Sequence, residues 1–325
     1  MRPMPAPIVL VVGPTASGKT ALGIALAKAL GGDVVNVDSV QLYRRLDIGS
    51  AKPSAEERAA VRHHLLDVVE PDGRYDAATY ARAADEVVSS LRAAGRPAIF
   101  VGGTGLYTRA LVRGLAEGIA SDPATRRALD ARARAGEQEL ARMHAELASV
   151  DPDYAARIAR TDPIRIVRGL EVFSLTGIPL SVHHARHAAA PPRYRALWLG
   201  LDVPREALRA RIEERTRSML ARGWIEEVRG LVRDHGPALR SLGSVGYAEV
   251  TRFVVEGRTD TVALSDEVVR ATAAFAKRQR TWFRGEPEVR WGGLEEFASP
   301  TWVQRIRGFL LDGTSVDAHP PASRL

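Results

Sequence analysis

The run Ile8–Val12 is short, fully apolar and largely β-branched, and it leads straight into Gly13, Pro14, Thr15, Ala16, Ser17, Gly18, Lys19 and Thr20. No other stretch limits the fold as tightly. Those eight residues match G-x-x-x-x-G-K-[ST] in the context that gives the pattern its meaning, between a buried strand and a helix start. The glycines let the backbone wrap a phosphate with its N–H groups pointing inward, and the helix N-terminus adds positive potential. Lys19 brings a mobile charge, and Thr20 a hydroxyl able to ligate Mg²⁺. The alternative, a glycine-rich turn with no ligand, does not account for the agreement of motif and context.

The pattern then alternates. A helical stretch over Lys19–Leu30 stops at Gly31-Gly32, and Asp33–Val37 is a second strand. A helix from about Asp76 to Ala94 is stopped by Gly95, and the buried strand Ala98–Val101 runs into Gly102-Gly103-Thr104-Gly105. Such alternation predicts an α/β fold with a doubly wound sheet, here a P-loop NTPase-like parallel sheet core. From Asp122 to roughly Arg186 only helical segments are found, followed by a loop rich in His, Ala and Pro over His183–Pro192; a strand resumes at Ala196–Val203. The expected organisation is a first core part over 1–115 and an all-helical insertion domain over 116–192. A second core part follows over 193–312, then a loose tail over 313–325. The second core part is expected to hold helices at about Arg205–Arg222, Ile225–His235, Tyr247–Glu256 and Asp266–Trp282, and a last strand at Val289–Trp291.

Composition narrows the function classes. With 325 residues, 45% hydrophobic and 26% charged, the chain can bury a sizeable core and lies far from disordered compositions. The absence of Cys excludes disulfides, thiolate metal sites and thiol catalysis, and suits a reducing cytoplasm. The apolar run near the N-terminus ends at Gly13, too short for a signal peptide or a membrane span, so no membrane partner is expected. A net charge of +7 suits a polyanionic partner. Only Lys19, Lys28, Lys52 and Lys277 among the bases are lysines. The arginine bias favours forked phosphate contacts and is equally compatible with genomic base composition. His63, His64, His183, His184 and His187 lack a metal-ligand spacing and read as surface or structural residues.

The phosphate loop does not say which phosphate it holds. An ordinary NTPase places a metal-binding Asp at the end of a neighbouring strand, but Ile99-Phe100-Val101 ends in Gly-Gly-Thr. The carboxylate lies instead at Asp38, past the second strand, followed by Ser39, Val40 and Gln41. There it can take a proton from an incoming nucleophile, cap a helix or ligate Mg²⁺, and position alone leaves these open. Ser39 and Gln41 are suited to hydrogen-bonding a base edge.

Gly13–Thr20, Asp38-Ser-Val-Gln-Leu-Tyr43, Asp47-Ile-Gly-Ser-Ala-Lys-Pro53, Val101-Gly-Gly-Thr-Gly-Leu-Tyr107, Gly246-Tyr247 and Lys277-Arg-Gln-Arg-Thr-Trp-Phe-Arg284 occur in the order seen in tRNA dimethylallyltransferases. From about Pro7 to Trp291 the chain resembles a bacterial member of that family, also called tRNA isopentenyltransferases. The resemblance implies transfer of a dimethylallyl group from dimethylallyl diphosphate to N6 of the adenosine 3′ of the anticodon. It also implies that the phosphate loop holds the diphosphate leaving group with Mg²⁺. By the same resemblance Asp38 is the general base and Asp38–Gln41 contact the flipped-out adenosine. Thr104 lies beside the reactive amine, its other reading being a helix N-cap. Arg126 contacts tRNA, although an isolated Arg is more often a solvated surface charge. Arg215 reaches the diphosphate, and the residues three and four away, Arg211, Ile212, Ser218 and Met219, offer no acid for a helical ion pair.

Ile164, Arg165, Ile166, Val167 and Arg168 match the family's Asp-Pro-x-Arg-x-x-Arg segment facing tRNA; a solvent-facing basic stripe is the competing reading. Lys277 and Arg278 also match RNA-facing positions, whereas Trp282 and Phe283 read as core. The chain departs from the family at Gly246-Tyr247, where no base is adjacent and Arg240 is the nearest, so tRNA contacts are not carried over there. With no Cys/His cluster in the sequence, the zinc-finger extension of eukaryotic relatives is not expected. The implied partners are the tRNA anticodon stem-loop and dimethylallyl diphosphate, acted on by a monomer. A small-molecule P-loop kinase explains Lys19 and Thr20 but leaves the Arg-rich insertion without a purpose. An adenine-nucleotide isopentenyltransferase needs no such insertion either, and for an RNA-binding ATPase Asp38-Ser39 would be incidental.

Overall fold

The computed structural model describes residues 5–115, 122–188 and 190–312; the expected start of the insertion at 116–121 and the expected tail over 313–325 lie outside them. The first stretch holds β1 (Pro7–Val12), α1 (Lys19–Leu30), β2 (Asp33–Asn36), α2 (Ala55–Ala60), β3 (His63–His64), α3 (Ala77–Ala93), β4 (Ala98–Val101) and α4 (Gly105–Arg113). The middle holds α5 (Pro123–Ala133), α6 (Glu137–Val150), α7 (Pro152–Ala155), α8 (Pro163–Thr176) and α9 (Leu180–Ala188). The last holds β5 (Arg195–Leu201), α10 (Arg205–Ala221), α11 (Trp224–His235), α12 (Tyr247–Val255), α13 (Thr261–Arg284), β6 (Val289–Gly292), α14 (Leu294–Phe297) and α15 (Pro300–Asp312). Two compact units result, one from the described residues up to Val112 and from Arg193 onward, the other from Arg113 to Pro192.

All six strands of the first unit are parallel, in the order β3-β2-β4-β1-β5-β6, which makes this a P-loop NTPase-like α/β sheet. Both faces of such a sheet must be covered, which is why β1 is apolar at every position. Ile8, Leu10 and Val12 point to one face, with Tyr80, Ala84 and Leu91 of α3, Leu111 of α4 and Phe283 of α13. Val9 and Val11 point to the other, with Leu22 and Leu26 of α1 and Trp302, Ile306 and Phe309 of α15. A further core of Trp224, Val228, Tyr247, Phe253 and Leu264 joins α11, α12 and α13. Among the described residues no helix is long and apolar enough to cross a membrane.

The second unit packs around Met143, Leu147, Ala155, Ile166, Val167 and Leu170. Three of its helices begin with the same dipeptide. Asp122, Asp151 and Asp162 each accept a hydrogen bond from a first-turn N–H (Thr125, Tyr154 and Arg165, at 2.7, 3.1 and 3.1 Å), with Pro next in sequence. Each cap contributes about 1 kcal/mol, and proline there loses no bond because that N–H has no helical partner.

Two expectations are corrected. The loop expected over His183–Pro192 is helical as far as Ala188, because Leu180 and His183 are buried and Asp151 anchors the start by accepting from Ser181 N at 2.9 Å. Tertiary contacts outweigh the loop-like composition until Pro191 and Pro192. The helix expected from Asp266 begins at Thr261, since Asp260 accepts from Val262 N and Ala263 N, both at 3.0 Å. The short α2 and the two-residue β3 had no sequence signal long enough to register.

Candidate active site

Three neighbouring strands, β1, β4 and β2, end on the same edge and release the loops beginning at Gly13, Gly102 and Val37, the edge where open α/β sheets bind ligands. Gly13 and Gly18 hold φ of 142° and 97°, a region that side chains other than glycine's resist. This loop and the first turn of α1 present Thr15, Ala16, Gly18, Lys19 and Thr20 to a cavity of about 550 Å³, while Gly13, Pro14 and Ser17 are buried. Lys19, Lys52, Arg211, Arg215 and Arg222 line this cavity against two carboxylates, Asp38 and Glu57, so its field favours anions. Lys19 Nζ donates to Pro14 O at 2.6 Å. Burial pushes its pKa down to about 7; Asp38 opposes the shift and Arg215 adds to it. Burial also lowers the pKa of Arg215, again with Asp38 opposing.

Asp38 closes a turn, with no helix after it to cap, and is a cavity residue. Its Oδ1 accepts from Val40 N at 2.8 Å and Gln41 N at 3.4 Å, closing a tight turn, while the side chain lines the cavity with Lys19 and Arg215. Asn36 supports it from below, Oδ1 accepting from Asp38 N at 3.0 Å and Nδ2 donating to Leu65 O at 3.0 Å. The Thr104 hydroxyl does not cap α4; it accepts from Ser39 N at 3.0 Å and so ties the β4 loop to the Asp38 turn. Val40 and Gln41 line the cavity. Gln41 Nε2, expected to read a base edge, donates instead to Ser50 O and Ala51 O, both at 3.0 Å.

One cavity wall depends on Glu227 and Trp224, which the sequence reading did not single out. Glu227 of α11 accepts from Asp47 N (2.9 Å), Ile48 N (2.7 Å) and Gly49 N (3.3 Å), and also from the Tyr247 hydroxyl (2.6 Å). The Trp224 indole packs against this turn, so that a Cβ on Gly49 would stand 2.0 Å from its Nε1. Tyr247 is buried, edge-on to Trp224, which accounts for the Gly-Tyr pair as a brace of this wall.

In the second unit Glu171, fully buried, pairs with Arg126 Nη1 at 3.4 Å and Arg168 Nη1 at 2.7 Å. The carboxylate gathers two of the predicted RNA-facing arginines, and Ile164 on the same helix is exposed. Ile166 and Val167, expected among the RNA-facing residues, have their side chains in the core, because they fall on the inward stripe of α8 with Leu170. Lys277 and Arg278 are exposed on α13, Phe283 is core, and Trp282 is half-buried under the Arg109 guanidinium, 4.4 Å from its ring centroid. Among the described residues no group of three or more His, Asp or Glu is placed to hold a metal.

A sequence profile described as IPP transferase matches residues 41–286, a span that takes in Thr104, Arg215 and the Lys277–Arg284 block. The chain belongs to the IPP transferase family. Similar to it is a Geobacter sulfurreducens protein named tRNA dimethylallyltransferase, 46% identical over 285 residues, 87% of this chain and 91% of the relative. A protein of the same name from Anaeromyxobacter sp. strain K is 47% identical over 322 residues, 98% of this chain and 99% of the relative. The crystal structure of the full-length tRNA isopentenylpyrophosphate transferase of Bacillus halodurans matches with a TM-score of 0.66 at 33% identity, covering 93% of this chain and 95% of that one. In this IPP transferase the phosphate loop and a carboxylate outside the usual NTPase position share one cavity.

Proposed function

We propose that the chain transfers a dimethylallyl group from dimethylallyl diphosphate to N6 of the adenosine immediately 3′ of the anticodon, in tRNAs reading codons that begin with U. The observation that carries this reading is the presence of Asp38 in the same cavity as Lys19 and Arg215. As the allylic C–O bond breaks, its electron pair goes to the diphosphate, where the phosphate-loop N–H groups, Lys19 and Arg215 offset the growing charge. The N6 amine bonds to the allylic carbon, and its proton passes to Asp38, at Oδ2, since Oδ1 is committed to the turn. Base flipping brings the adenosine to the cavity. The arginines gathered by Glu171 supply phosphate contacts.

Mg²⁺ fits this site: Thr20 offers a hard hydroxyl oxygen to the cavity beside the phosphate loop, and an ion that keeps several waters and shares substrate phosphates needs no fuller cage. When bound it neutralises diphosphate charge.

Pyrophosphate release is the test, with Mg²⁺, dimethylallyl diphosphate and unmodified tRNA. The parallel arms use a tRNA lacking that adenosine, AMP as acceptor, and ATP in place of the prenyl donor. Release confined to the intact tRNA is expected; equal turnover with AMP points to a nucleotide-level enzyme, and turnover of ATP alone to a kinase-like one.

The charge state of Lys19 adds a pH signature. A bound anion raises its pKa from about 7, so binding at higher pH must take up a proton. Pyrophosphate affinity is therefore fully assisted by Lys19 below about pH 7. Above it, affinity falls by up to about tenfold per pH unit relative to Lys19→Arg, which stays charged. Calorimetric titrations giving parallel profiles for the two proteins would remove Lys19 as the source.

A further inference from the structure

Gln279 lies on the buried stripe of α13, between Ala276 and Phe283, where an apolar side chain is the default. It is 6% exposed, and both ends of its amide are used outside the helix. Oε1 accepts from Thr15 N, in the middle of the phosphate loop, at 2.8 Å. Nε2 donates to Gly103 O, in the loop after β4, at 3.0 Å. Gly103 permits that approach, since a Cβ there would fall 2.1 Å from Nε2. The next residue, Thr104, holds Ser39 N at 3.0 Å, and Ser39 adjoins Asp38. One side chain thus joins the loop for the leaving group to the loop that fixes the proton acceptor.

We infer that Gln279 is a positioning residue that sets the distance between the diphosphate loop and the Thr104–Asp38 acceptor side, an inference that deepens the prenyl-transfer reading and rests on it for its kinetic part. The residue type follows from the partners. A backbone N–H at one end and a backbone carbonyl at the other require an acceptor and a donor on one short planar group; carboxylates only accept, and lysine or arginine only donate. Burying an amide is unfavourable unless both ends are paired, and here both are. A helix that merely needed to pack would place an aliphatic residue at this position.

Gln279→Met keeps the volume and removes both bonds. Its single-turnover transfer rate, at saturating tRNA and prenyl donor, is expected to fall about 10- to 100-fold, the range that a misplacement of about 1 Å produces. The separate affinities for tRNA and for inorganic pyrophosphate should stay within about threefold of the parent's. Gln279→Asn, too short to reach both loops, should behave like Met. An unchanged rate, or a rate loss matched by the loss of folded protein in a thermal melt, overturns the inference. A second readout does not involve prenyl chemistry. In the parent protein, inorganic pyrophosphate is expected to slow amide hydrogen exchange in both the 13–20 and the 102–105 segments. In Gln279→Met it should slow only the first, and slowing of both there overturns the coupling. Failure of the parent to transfer a prenyl group would instead sink the functional reading and leave the exchange result standing.

Discussion

Asp38→Asn is expected to lower the single-turnover transfer rate by about 10²- to 10⁴-fold, the contribution of a positioned general base, while tRNA affinity changes by less than about threefold. The separation of the two effects follows from the two oxygens. Asn retains an acceptor for Val40 N and Gln41 N, so the turn that shapes this part of the cavity survives, and only the capacity to take a proton is lost. Asp38→Ala removes both. Its additional defect measures the turn, at about 1 kcal/mol. Rapid-quench transfer assays together with filter binding decide the matter: weakened tRNA binding with a normal rate at saturation would move Asp38 from chemistry to recognition.

Gly102→Ala is expected to destabilise the fold by about 3 kcal/mol or more, at the upper end of overpacking effects. A Cβ at this position would stand 2.2 Å from Val37 O and 2.4 Å from Val37 C. Both are backbone atoms, so no side chain can swing aside. Relief requires β4 and the segment after β2 to part, and that segment accepts Thr104 N at Val37 O, 3.2 Å away. The melting temperature should drop by on the order of 5–10 °C. Residual folded protein should show a reduced transfer rate, because the Thr104–Ser39 bond lies next to the strained contact. A melt indistinguishable from the parent's would show that the two loops can separate without loss.

The sheet could be read from the sequence because buried parallel strands announce themselves as unbroken apolar runs, and Ile8–Val12 and Ala98–Val101 are such runs. The phosphate loop and Asp38 were legible for a similar reason: their chemistry is local, carried by a few adjacent residues. The bracing residues were not. Glu227 finds its partners at Asp47, Ile48 and Gly49, Gln279 at Thr15 and Gly103, and Glu171 at Arg126, all through long-range folding. A polar residue on an apolar helical stripe, as Gln279 is between Ala276 and Phe283, was the one available signal. Ile166 and Val167 carry the opposite lesson, since a motif shared with a family names a segment and the helical period decides which of its side chains face inward.

The point where the chain leaves the sheet unit is also the point to which it returns. Arg193 N donates to Val112 O at 2.7 Å, and the Arg193 guanidinium reaches the carbonyls of Ala110 and Leu111. In polymer terms the Arg113–Pro192 excursion is a closed loop pinned at its neck, and closing such a loop costs an entropy that grows only logarithmically with its length. The register of β5 beside β1 is therefore nearly indifferent to how many residues the excursion contains. The excursion can lengthen, shorten or be exchanged there over evolutionary time without moving a strand of the parallel sheet.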